Sequence, residues 1–205
     1  MIAGIVGKLG RGKTALLTAL AYINKTAGSF YVKRLLFPEI FNMSNHFKVY
    51  ANYKLKFDFE PVTDFEQINT MNEGSAFLDE LWLWADSRMS MSKKNQAVSM
   101  IALTSRKRDI DIYYTAQNWS RIDKRIRNIT DVILIPEINQ ATGMMKVEVC
   151  EPNEKFKQVI KTFTINMLPF FSMYNTKEEI QELNNEAISK EKFSNEKGIK
   201  KSKNK

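Results

Sequence analysis

Gly7-Lys8-Leu9-Gly10-Arg11-Gly12-Lys13-Thr14 is the stretch that decides the fold. It meets the pattern G-x-x-x-x-G-K-[ST] at every fixed position, follows the apolar run Ile2 to Val6, and precedes Thr14 to Ile23, where Ala and Leu recur at helical spacing. The spacing predicts a strand, a glycine turn and a helix. Gly7, Gly10 and Gly12 let backbone amides curl around a phosphate at close range, Lys13 suits the bridge between β- and γ-phosphates, and the Thr14 hydroxyl suits Mg2+. A helix beginning near Lys13 adds the positive end of its dipole to the same anion site. The eight residues together are expected to hold a nucleoside triphosphate, with ATP and Mg2+ as the ligands.

Working outward, short apolar runs recur at Phe47 to Leu55, Ser75 to Leu78, Ile110 to Thr115 and Val132 to Ile135, with a polar helix expected over Lys93 to Ser105. Mostly apolar strands separated by helices predict an α/β fold with a mostly parallel central sheet flanked by helices. After Gly143 the pattern changes. Lys146 to Glu151 and Gln158 to Ile165, split by Pro152 and Asn153, predict a C-terminal antiparallel β-hairpin at the sheet edge, and Thr176 to Ser189 predicts a helix capped by Thr176.

Ser75-Ala-Phe-Leu-Asp-Glu80 is an apolar strand ending in adjacent carboxylates. Beside a phosphate loop, Asp79 is expected to serve the magnesium shell, and Glu80 to orient or deprotonate an attacking water. An adjacent acid pair points to hydrolysis.

The chain has 205 residues, 43% of them hydrophobic and 26% charged, with eight Gly and five Pro, so it can bury a core of ordinary size and is neither collagen-like nor disordered throughout. No apolar run reaches the roughly 18 residues that a membrane helix requires, and the start does not read as a signal peptide, so a cytoplasmic location is expected. Cys150 is the single cysteine and His46 the single histidine, which excludes an internal disulfide and disfavours a zinc or serine–histidine mechanism. Of the net charge of +8, residues 190–205 carry five, seven Lys against two Glu. The expected organisation is one ATPase domain over 1–189 and a basic, disordered tail over 190–205.

Ser105-Arg-Lys-Arg-Asp-Ile-Asp-Ile-Tyr-Tyr-Thr-Ala-Gln117 resembles the segment of FtsK and HerA type motor ATPases in which an arginine ends a helix, a buried strand follows and the strand finishes in Ser/Thr-Gln. Arg106 and Gln117 stand eleven residues apart, as in that family. Asp109 stands where the family has a glycine, and Ala116 separates Thr115 from Gln117. Ile122-Asp-Lys-Arg-Ile-Arg127 is similar to the following segment of viral genome-packaging ATPases and, more distantly, of zonula occludens toxin-like phage ATPases. The resemblance covers roughly residues 1 to 140. It implies a P-loop NTPase of the RecA-like (ASCE) kind, with Gln117 sensing the γ-phosphate in its own subunit and Arg106, or as second choice Arg108, reaching a neighbour's nucleotide in a homo-oligomeric ring.

The resemblance also implies an ATP-driven translocase that moves double-stranded DNA without reading its sequence, in viral genome packaging. A capsid or virion-membrane protein is then the partner, and the host cytoplasm or the packaging vertex the location. Arg121, Lys124, Arg125 and Arg127 form a basic patch suited either to a nucleic-acid backbone or to plain solvation. The alternative is a non-motor P-loop ATPase of assembly or secretion, or a small-molecule kinase, for which no acceptor pocket or arginine-bearing lid is legible. His46 reads as a loop residue, and Trp82 and Trp84 as core or subunit-face residues.

Overall fold

The computed structural model describes residues 1–37, 45–63, 66–81, 107–152 and 158–175. The described residues fall within one compact unit, Met1–Asn175. The expected helices over Lys93 to Ser105 and Thr176 to Ser189, the two tryptophans Trp82 and Trp84, and the 189/190 domain boundary lie outside them.

Eight strands form one sheet: β1 (Ile2–Val6), β2 (Val49–Ala51), β3 (Glu60–Pro61), β4 (Gly74–Leu78), β5 (Ile110–Ala116), β6 (Val132–Ile138), β7 (Met144–Cys150) and β8 (Val159–Asn166). Their spatial order is β3-β2-β4-β5-β1-β6-β7-β8. The six strands from β3 to β6 run parallel, and β7 and β8 are antiparallel to their neighbours. This is the mostly parallel α/β sheet that the alternating pattern implies. β5 lies between the strand that leads into the phosphate loop and the strand that ends in the acid pair, as in a P-loop fold of the RecA-like kind. Three helices accompany the described sheet: α1 (Lys13–Ala27), α2 (Ser29–Leu36) and α3 (Lys124–Ile129).

Every residue of β1, β4 and β5 is buried. Alternate side chains serve opposite faces, which is why these strands read as continuous apolar runs. Ala3, Ile5, Phe77 and Tyr113 pack with Leu16, Leu17 and Leu20 of α1. Ile2, Val6, Leu78, Ile112 and Tyr114 pack on the other face, with Trp119, Ile122 and Ile126. Phe77 and Tyr113, paired across β4 and β5, stack with ring centroids 4.8 Å apart. Gly4 is required by its neighbour: a Cβ there would stand 2.9 Å from the Tyr114 ring, which crosses β1 so that its hydroxyl meets that of Thr130 at 2.8 Å.

Two expectations change in detail. The second strand is only Val49–Ala51, because the chain leaves the sheet at Asn52, whose side-chain amide binds the backbone of Asp79, and Leu55 instead bridges Tyr174. The C-terminal hairpin is present and pairs through β7 with β6, so it forms a three-stranded meander whose Met145, Val147 and Val149 belong to the core beneath α1.

β5 also buries a charge. The Asp111 carboxylate accepts from the Met1 amino nitrogen at 2.8 Å and pairs with Lys33 of α2 at 2.8 Å, and the side chains of Lys33 and Asp111 are both buried. A buried pair broken on one side leaves an uncompensated charge. Asp111→Ala is therefore expected to cost about 3–5 kcal/mol in urea unfolding, whereas Asp58→Ala, removing the exposed Lys25–Asp58 pair, should cost less than about 1 kcal/mol.

Candidate functional site

The phosphate loop leaves β1 at Val6 and enters α1 at Lys13. Its path depends on Gly12, which has φ +88° and whose added Cβ would lie 2.5 Å from the Met145 methyl and 3.3 Å from Ile138. A side chain there would meet both backbone strain and the meander beneath. Gly10, with φ +77°, has open space around it, and Leu9 at the loop tip is 82% exposed. The Gly7 amide donates to the Ala116 carbonyl, tying the start of the loop to the end of β5. Arg11 pairs with Glu137 of β6 on the surface. Lys13 is buried, and its ammonium donates to the Lys8 carbonyl at 3.3 Å, so a cation and the amides of α1's first turn converge inside the loop.

The acid pair stands beside the loop. Asp79, only 7% exposed, accepts from the Thr14 hydroxyl at 3.0 Å and from the Thr115 hydroxyl at 2.5 Å. Burial raises its carboxyl from the ordinary aspartate value, against the opposing effect of the two hydroxyl donors, with the Glu80 charge raising it further and the Lys13 charge lowering it. The Thr115 oxygen also accepts from the Glu80 amide at 2.7 Å, so one hydroxyl at the end of β5 holds both acids. Glu80 has φ +49°, a strained conformation for a residue with a Cβ. The Gln117 amide donates to Glu80 Oε1 at 3.4 Å, a long bond. From the other side, Asn52 donates to the Asp79 carbonyl at 2.8 Å and accepts from the Asp79 amide at 2.7 Å.

Lys13, Thr14, Asp79, Glu80 and Gln117 are thus brought to one end of the sheet. Arg106 lies outside the described residues. Arg108 is exposed at the opposite end of β5 from Gln117, roughly 20 Å away along a seven-residue strand. It is remote from its own chain's phosphate loop. His46 occupies a loop, as expected, buried against Ser29 and paired with Asp109 at 3.1 Å, far from the acids. Asn52 and the double role of Thr115 escape sequence reading: a lone Asn after a strand carries no motif, and the hydroxyl's partners are set by strand order.

A nucleotide with Mg2+ fits this donor set. Thr14 and Asp79 offer oxygen atoms alone, as a hard divalent cation prefers, and among the described residues no cluster of His, Cys, Asp and Glu competes as a metal site. The buried Lys13 ammonium supplies the positive charge that phosphate oxygens need. Among the described residues no helix is long and apolar enough to cross a membrane.

The chain matches no protein-family profile and no curated protein. Among solved structures it is similar to the N-terminal domain of zonular occludens toxin from Neisseria meningitidis, at TM-score 0.48 and 18% identity over 87% of this chain and 95% of that one. It is also similar to the flagellar accessory protein FlaH from Methanocaldococcus jannaschii, at TM-score 0.46 and 13% identity over 80% of this chain and 84% of that one. A third is the genome packaging NTPase B204 from Sulfolobus turreted icosahedral virus 2 in complex with sulfate, at TM-score 0.41 and 10% identity over 78% and 94%. Likeness at this level leaves the functional reading to the geometry of the site.

The Asp79 carboxyl yields a pH signature. A folded-state value raised above the unfolded one favours the protonated form, so this group's contribution to stability is fullest at low pH and is lost as pH rises through its folded value. Without nucleotide or metal, Asp79→Asn should raise the thermal midpoint at neutral pH relative to the unmodified protein. That gain should shrink as pH falls toward the ordinary carboxylate value of about 3.9. Paired thermal melts across this range check the sign.

Proposed function

We propose that this protein is an ATP-hydrolysing motor that translocates double-stranded DNA, in viral genome packaging into a capsid. The observation that carries the hydrolysis reading is the Thr115 hydroxyl, which binds the Asp79 carboxylate and the Glu80 amide together beside Thr14 of the phosphate loop. The loop amides and Lys13 bind the phosphates, while Thr14 and Asp79 hold the metal. Bound Mg2+ supplies charge neutralisation of the phosphate oxygens. Glu80 orients the attacking water and accepts its proton, and Gln117, in contact with Glu80, positions that carboxylate relative to the γ-phosphate.

The DNA and ring parts of the proposal rest on the resemblance of Arg106 to Gln117 and Ile122 to Arg127 to motor segments, and on the distance between the start of β5 and the chain's own loop. Arg108, at that end, lies too far from its own chain's loop to serve it, which leaves a neighbouring subunit's nucleotide as its target. Basic residues Arg121, Lys124, Arg125 and Arg127 then meet DNA through its phosphates, without base readout.

Lys13→Ala should abolish nucleotide binding, while Glu80→Gln should retain it and lose hydrolysis by about 10²–10⁴-fold. Radiolabelled nucleotide binding and phosphate release measure the two separately. Linear duplex DNA should raise the ATPase rate, with a stimulation that weakens steeply with salt; no stimulation at any salt favours the non-motor alternative.

Mixing tests the shared site. Arg106→Ala subunits keep their own loop and acids, and Lys13→Ala subunits keep their arginine. Each should be nearly inactive alone, and the mixture should recover part of a rate for which an arginine finger is worth about 10³-fold or more. If co-assembled mixtures stay inactive, the role in trans fails for Arg106.

A further inference from the structure

The four cations of the basic patch are not equivalent. Arg125 is engaged by Asp123, donating from Nε at 3.0 Å and from its terminal nitrogen at 2.8 Å. The nearby Asp131 accepts from the Ile2 amide at 2.7 Å. Lys124 and Arg127 form no ion pair among the described residues and instead line a cavity of about 290 Å³ with Trp119, Asn128, Thr130 and Pro152. None of these six is acidic. Arg127 Nε is buried and has no hydrogen-bond partner among the described residues. A buried, unpaired guanidinium nitrogen costs free energy that an anionic acceptor would recover. Guanidinium, ammonium and carboxamide donors in one recess, with no carboxylate among the described lining residues, are the chemistry of a phosphate site.

The cavity runs from Trp119, two residues beyond Gln117, to Thr130 and Pro152 at the other end of the sheet. Thr130 leads into β6, whose Val132 pairs with Ala3 near the start of β1, and Pro152 follows Cys150, which pairs with Ile133. The far end of β6, at Ile138, packs beneath Gly12. The Thr130 and Pro152 side of the cavity is thus separated from Gly12 by about 17–20 Å of strand.

We propose that the cavity between α3 and the end of β7 is a second phosphate-binding site, taking a backbone phosphodiester of nucleic acid through Lys124, Arg127 and Asn128. This rests on the DNA-motor reading and adds to it a defined place of contact. The contact is a recess that seats one phosphate at a time, rather than a uniformly basic helix face.

The test is anisotropy of a fluorescent duplex bound by the full chain over a salt series, without nucleotide. Lys124→Gln and Arg127→Gln should each flatten the slope of log K against log salt by about 1, and the double variant by about 2. Arg127→Lys keeps the charge and should keep the slope, and Lys146→Gln, on β7 and paired with Glu148, should leave it unchanged. Lys124 is exposed, so its substitution keeps the test informative even where an Arg127 variant folds poorly.

If folded Lys124→Gln and double variants retain the full slope while the unmodified chain binds DNA, the cavity assignment is overturned and the motor reading stands. If the unmodified chain binds no duplex at any salt, the DNA reading falls and the cavity assignment with it. A third arm uses pyrophosphate at constant ionic strength in a Lys13→Ala background, where the phosphate loop is silent. Calorimetric binding that is lost in the double variant, with the duplex slope unaffected, would assign the cavity to free phosphate compounds and overturn the nucleic-acid occupant.

Discussion

The site is organised around a carboxylate that has been taken out of water. Asp79 is buried at the end of β4, where its ionised form is disfavoured, and the surrounding chain compensates by aiming hydrogen bonds at it from different elements. Thr14 reaches it from α1, Thr115 from β5, and Asn52, just past β2, grips its backbone. The Asn52 and Thr115 contacts exist only because the strand order places β4 between β2 and β5. The electrostatic requirement of one side chain therefore fastens together the ends of three strands and the helix that follows the phosphate loop.

The same economy of contacts explains why the C-terminal meander is integral. Met145 of β7 lies where a Gly12 side chain would project, so the curvature of the loop and the packing of an element more than a hundred residues later constrain each other. Val147 and Val149 extend that contact into the α1 core. The antiparallel strands are a floor for the loop, and their position against β6 sets how closely backbone amides at Gly12 and Lys13 can turn toward a phosphate.

Much of this was legible in the sequence because the relevant signals are local. Continuous apolar runs at Ile2 to Val6 and Ile110 to Thr115 report strands buried on two faces, and the glycine spacing from Gly7 to Gly12 reports a backbone path. What escaped depends on neighbours in space. Asn52 has no distinctive context, and its importance arises when a parallel register brings Ala51 opposite Phe77, two residues before Asp79. Asp111 reads as a polar interruption in an apolar strand, and its meaning depends on Lys33 of α2, which stands on the buried face of that helix with Val32 and Leu36. The patch from Arg121 to Arg127 reads as uniformly basic, while the fold divides it between a charge-paired arginine and two cations that share a recess.

Cys150, the only thiol in the chain, closes β7 opposite Ile133 and is fully buried, with desolvation raising the pKa of its thiol. A buried thiol whose ionisation is disfavoured in place reacts faster once the strand has parted from β6. Its rate of alkylation is accordingly a clock for opening of the meander, read from a single native atom without an introduced probe. Because the opposite end of that meander underlies Gly12, the clock registers at one end of the strand any loosening that begins at the other.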